Sequence, residues 1–178
     1  MATANWTELL TTEIEDAYGA TAQLIGRVKD EDLDWKPETG ANWMTTGRLL
    51  FHIAESCGMC FKGFVTGEWP MPEGATEGGA EPAMATAEQM KSVGSVEEAR
   101  TLLAADKQVA LDMLAQAGES RLAEQGTPAP WDPRELPLGQ RLLQMVGHLM
   151  QHKGQLFYYL KLQGQNVNSA DLWGMTPE

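Results

Sequence analysis

Cysteine is scarce in this chain. The two residues, Cys57 and Cys60, are too few for a disulfide framework. Basic residues are also outnumbered: 13 Lys and Arg stand against 25 Asp and Glu, a net charge of −12. A surface of that sign repels phosphate backbones and anionic lipid, so nucleic acid and membrane are not expected partners. No apolar run approaches the roughly 20 residues of a membrane-spanning helix. The opening "MATANWTELL" lacks the basic and apolar regions of a secretory leader, and the expected location is the cytoplasm. No stretch alternates apolar and polar residues in the manner of a strand, so no sheet is expected.

What is present suits a folded core. The chain has 178 residues, 43% of them hydrophobic, and residues 1–178 read as one domain. Four segments carry helical periodicity. The first runs from about Asn5 to Val28 through Trp6, Leu10, Ile14, Ala17 and Leu24. The second runs from about Thr46 to Val65 through Leu49, Ile53, Cys57, Phe61 and Phe64. The third opens at Ser95, with Glu98 three residues on as in a capping box, and Gly118 is its expected stop. The fourth starts near Pro137 and runs to about Gln163. Four such helices bury one another most simply as an all-α bundle. The connections 66–94 and 118–136 are too long for a tight up-and-down bundle and imply crossovers between neighbours that run parallel. Each connection reads either as a surface loop or as a pocket cover. Trp69 and Trp131 favour a cover, because large aromatics dock on something.

Histidine occurs three times, and two of the three lie four residues apart in "VGHLMQHKGQLFYYL". That spacing places His148 and His152 on one helix face, about 6 Å apart along the axis, where both imidazoles can reach one ion. Leu149 follows the first, so the base of the zinc-protease motif is absent. Their neighbours Met145, Leu149, Leu156 and Tyr159 turn the pair toward the bundle interior. His52, beside Leu49, Ile53 and Ser56, also faces inward. Three histidines placed at random give such a pair about 3% of the time. Buried imidazoles without partners are costly, and a shared divalent ion removes that cost for all three. The competing reading is three ordinary core histidines.

Two further blocks extend the pattern. "LDWKPETGANWMTTGRLLFHIAES" and "LPLGQRLLQMVGHLMQHKGQLFYYLKLQG" together resemble the DinB-like (DinB/YfiT) superfamily. The likeness rests on a W-x-P before the second helix, "LLFHIAE" within it and H-x-x-x-H-K-G-Q-L in the last. The resemblance implies a four-helix bundle with crossover connections. It also implies a divalent metal, often zinc or nickel, held by His52, His148 and His152, and frequent homodimers. Members with known activity include transferases and isomerases that use low-molecular-weight thiols; many have no known reaction. The segment "SCGMC" departs from the family pattern.

Three neutral imidazoles leave a divalent ion its full charge and an open position, the arrangement of a catalytic site. That position can activate water or a thiol, so a hydrolase and an S-transferase acting on a small-molecule substrate both remain. A non-catalytic metal- or ligand-binding dimer is the rival. Glu55 is a candidate general base, a partner to a His N–H, or an exposed helix residue. Gln155 either orients a ligand or bonds a neighbouring helix. Tyr159 either caps the pocket and donates to a bound oxygen or is a plain core aromatic. Cys57 and Cys60 read as apolar packing, since redox CxxC pairs normally follow a strand. Gly139, Gly147 and Gly154 suggest close helix approach near the metal.

Overall fold

A helix begins wherever its first amide groups find acceptors, and in this chain those acceptors are mostly carboxylates and hydroxyls. The computed structural model describes residues 5–69 and 86–175. Helix α1 (Trp6–Ile25) opens on Asn5, whose side chain accepts from the Glu8 amide. Helix α2 (Thr46–Glu55) opens on Thr45 and helix α3 (Cys57–Thr66) follows directly. Helix α4 (Val96–Glu124) opens on Ser95, whose hydroxyl accepts from the Glu98 amide. An antiparallel hairpin of β1 (Gly126–Ala129) and β2 (Asp132–Pro137) leads into α5 (Leu138–Leu162), and α6 (Ser169–Leu172) closes the described chain.

Contacts between elements give their directions. Trp6 and Thr7 meet Glu119, and Tyr18 meets Asp106, so α1 and α4 are antiparallel. Gly58 meets Asp106 and Val65 meets Arg121, so the α2–α3 rod runs parallel to α4. Thr46 at the start of α2 meets Gln163 at the end of α5, whereas His52 farther along α2 meets His148 nearer the start of α5, so α5 is antiparallel to that rod. Gly139 lies against Trp6 at the start of both helices, and α5 runs parallel to α1. The connection after α3 thus joins parallel neighbours, as expected, but the one between α4 and α5 joins antiparallel helices, so its length does not mark a crossover. Leu10, Ile14, Leu24, Leu49, Ile53, Phe61, Leu142 and Leu156, all 0% exposed, fill its centre.

Four features differ from the sequence expectation. The segment 46–65 is not one helix, because its pattern breaks at Ser56. Gly118 leaves helical geometry (φ 69°, ψ 159°) and ends the first stretch of α4 as expected, but a second helical stretch resumes beyond the kink and runs to Glu124. The connection 118–136 holds a hairpin instead of irregular chain. Strand β2 is largely exposed and a side chain holds the hairpin: Arg141, 1% exposed, donates to the Thr127 carbonyl (3.0 Å), the Asp132 carboxylate (3.0 Å) and the Arg134 carbonyl. The glycines of α5 also differ. An added Cβ at Gly139 would sit 2.5 Å from the Trp6 ring, but Gly147 and Gly154 have open space. Close approach is confined to Gly139 and lies toward α1.

Trp69 and Trp131 do dock, but on each other and on Phe64, with centroids 4.8–5.9 Å apart. Gly63 makes room for the Trp69 ring. This cluster sits at the end of α3, roughly 18 Å along the rod from His52. Residues 70–85 of the expected pocket cover lie outside the described residues.

The break at Ser56 has a cause on α4. Asp106, 7% exposed, accepts from the amides of Gly58 (2.9 Å) and Met59 (3.2 Å) and from the Tyr18 hydroxyl (2.6 Å). Amides that would have continued the α2 ladder bond a carboxylate instead, and α3 starts afresh. A Cβ on Gly58 would meet the Asp106 carbonyl at 2.1 Å, so glycine is what lets α4 come this close. Replacing Asp106 with Ala strands two amides and a phenol in the interior. The expected cost is about 2–4 kcal/mol, read from urea denaturation midpoints; a loss under about 0.5 kcal/mol would show that the cap is idle.

Candidate metal centre

Helix α2 presents His52 from its last turn, and α5 presents His148 and His152 from its middle. The antiparallel packing brings the three rings together. His52 Nε2 lies 3.1 Å from His148 Nε2 and 3.1 Å from His152 Nε2. One nitrogen from each residue falls within 4.8 Å of the others, and all three side chains are half-buried. The rings are tilted against one another by 43–89°, so nitrogens converge and faces do not stack.

The proton positions follow from a directional chain. The Met44 carbonyl can only accept, so the Tyr159 hydroxyl donates to it, at 3.0 Å. The phenol oxygen then accepts from the Gln155 amide nitrogen, at 3.3 Å. That fixes the amide, whose oxygen faces His152 Nδ1 at 3.1 Å. Nδ1 is therefore the protonated nitrogen of His152, and its Nε2 lone pair points to the centre. Trp35 and Trp43 hold the Tyr159 ring edge-on, with centroids 5.2 and 6.2 Å away.

The donor set fits a divalent ion. Imidazole nitrogens at about 2.0–2.1 Å from a tetrahedral zinc are about 3.3 Å apart, and the separations from His52 to its two partners are 3.1 Å. The three ring nitrogens crowd one another in a half-buried site. Accordingly burial, with the neighbouring His152 and His148, lowers the His52 imidazole from 6.5 to about 4. Burial also lowers His148, aided by His152. It lowers His152 against the opposing hydrogen bond to Gln155. Each side chain is thus held neutral, the form that ligates metal.

The other residues singled out by sequence fall in different places. Gln155 and Tyr159 stand in line behind His152 as described. Glu55 is half-buried near the break; burial raises its carboxyl, with Asp106 adding to the rise and Lys91 opposing it. Among the described residues no hydrogen bond joins Glu55 to the three rings. Cys57 and Cys60 are free thiols packed in or against the core. Burial pushes the Cys60 thiol up to about 11 and raises Cys57 further, so neither is a ready thiolate. Asp106 and Tyr18 escaped the sequence reading altogether: within "AADKQVA" an aspartate looks like any exposed helix residue.

Bundle and centre together define a class, a helical bundle with three histidines from two antiparallel helices gathered into a candidate metal site. A family model described as the DinB superfamily matches residues 13–156, and the chain belongs to that superfamily. No curated protein and no solved structure matches the chain. No helix of the described residues is long and apolar enough to cross a membrane.

The lowered imidazoles make the metal-free fold pH-sensitive. Between about 4 and 6.5 the unfolded chain holds a proton at His52 that the folded chain lacks. Stability therefore rises with pH across this window and is lost as pH falls through it. Thermal melts with chelator should show Tm dropping from pH 6.5 to 4, with a shallower drop in His52→Ala. Equal slopes in the two proteins would refute the assignment.

Proposed function

We propose that this protein is a metal-dependent enzyme whose centre is His52, His148 and His152 around a zinc or nickel ion. The observation that carries this reading is the 3.1 Å convergence of three Nε2 atoms in half-buried surroundings. When bound, such an ion supplies Lewis acidity that favours the deprotonated form of a thiol or water beside it. The chain's own residues then have distinct tasks. The three imidazoles stay neutral and leave the charge on the ion undiminished. Gln155 holds the tautomer and ring angle of His152, and Tyr159 holds Gln155. In this reading both are positioning residues, and the Tyr159 proton is committed to Met44. Glu55 is the candidate base for the hydrolytic version.

Of the two reactions, transfer to or from a low-molecular-weight thiol is preferred. A thiol needs no separate base for its deprotonation at such a site, and the charges that act on Glu55 are those of Asp106 and Lys91. Elemental analysis of untagged protein should give about one zinc or nickel per chain, and His52→Ala or His148→Ala should abolish it. Gln155→Ala should weaken metal affinity by about 10- to 100-fold. Thiol S-conjugation and ester or amide hydrolysis, each with and without chelator, then separate the reactions. Metal without turnover in either would make this a binding module, and unchanged metal content in the histidine variants would refute the centre.

The same reading includes a homodimer. Tyr158 (65% exposed) and Leu162 (66%) stand one turn apart on the outer face of α5, above the open surface of Gly154. Light scattering should report twice the chain mass, and Tyr158→Glu should shift it toward monomer; a monomeric wild type would remove this part of the proposal.

A further inference from the structure

Hydroxyls within the helices of this bundle are generally spent on their own backbone. Thr11, Thr12, Thr21, Thr66 and Thr101 each donate to the carbonyl four residues earlier. Ser56 does not. It is 8% exposed, and its Oγ has no hydrogen-bond partner. A buried hydroxyl without a partner is unfavourable unless one arrives.

Its placement says where that partner would be. Ser56 keeps right-handed helical angles, φ −97° and ψ −26°, so its Cβ continues the direction set by α2. It lies four residues after His52, which puts it on the same face, about 40° round and about 6 Å along the axis. That face is the one on which His52 meets His148 and His152. The helix ladder stops at this residue because Asp106 takes the amides of Gly58 and Met59.

We propose that Ser56 is a ligand-holding residue of the three-histidine centre: its O–H donates to the anionic atom, a thiolate sulfur in the preferred reaction, of the small molecule that enters beside the ion. The inference rests on the metal reading above and adds the group that would select and orient an anionic ligand there. A neutral hydroxyl suits this task, because it strengthens an anion's binding without cancelling the charge of the ion.

The test uses the whole chain loaded with Co(II), titrated with 2-mercaptoethanol and followed by the sulfur-to-cobalt charge-transfer absorption. Wild type and Ser56→Ala should bind equal cobalt. Ser56→Ala should bind the thiol about 10- to 100-fold more weakly, the worth of a hydrogen bond to a charged group. Ser56→Thr, which keeps the hydroxyl, should recover most of that loss. The Tm of metal-free Ser56→Ala should be unchanged or higher, since an unpartnered polar atom has been removed. Equal thiol affinity in wild type and Ser56→Ala overturns the proposal. So does loss of cobalt from Ser56→Ala, or a cobalt-loaded wild type that develops no thiol band. A wild type that takes up no cobalt is a different result, which removes the metal reading and this inference together.

Discussion

Carboxylates from distant segments finish the helices of this bundle, and the arrangement of the whole follows from them. Asp106 on α4 supplies the acceptors for the first amides of α3. Glu119, just past the kink at Gly118, accepts from the amides of Trp6 and Thr7 at the start of α1. Asp30 accepts from Val96 at the start of α4. Each bond joins a negative side chain to the positive end of a helix dipole and also fixes one helix against another. The chain's acidity therefore has a structural outlet. Part of the excess over basic residues sits where backbone amides need it, and so does not act only as self-repulsion on the surface.

The histidine cluster follows the opposite logic. Its three rings turn nitrogens toward one another in a site that disfavours their protonation, and His52, facing both partners, is lowered to about 4. A second proton on any of the rings is disfavoured there by burial. The chain sustains the arrangement through directional bonds that leave His152 no other tautomer: Met44, Tyr159, Gln155 and His152 form a line in which each donor has one acceptor. A local conflict held in place by its surroundings is what marks a site shaped for a ligand.

Much of this was legible in the sequence, and the parts that were not share a cause. Helical periodicity located the α1, α4 and α5 cores, and the His148/His152 spacing with the inward face of His52 gave the cluster, because both signals are local repeats. The length of the connection after α3 gave the parallel pair α3 and α4; the connection before α5 is long because it holds a hairpin, and the helices it joins are antiparallel. The hairpin was invisible because β2 is largely exposed and is held by Arg141 from another element. The break at Ser56 was invisible because "HIAESCGMCFKG" carries an unbroken helical pattern that only Asp106, 50 residues later in the chain, interrupts. Gly118 breaks the helix as a positive-φ glycine does; the helical stretch that resumes beyond it was not legible, and Glu119 there is anchored on α1. What a side chain does across the bundle leaves no trace in its own neighbourhood of sequence.

These constraints meet on α2. With 10 residues it is too short to be stable alone, so its position is dictated from outside. At its start, Thr46 and Gly47 donate to the carbonyls of Trp35 and Leu33 (both 2.8 Å), and Thr45 caps the Arg48 amide. At its end the ladder stops where Asp106 claims the next amides. His52 thus rides on a short element clamped at both ends, whereas His148 and His152 ride on the 25-residue α5. Any adjustment of the three nitrogens to an incoming ion would fall on α2, the shorter and less self-sufficient partner. The geometry of the centre is accordingly set as much by Asp106 and Trp35 as by the histidines themselves.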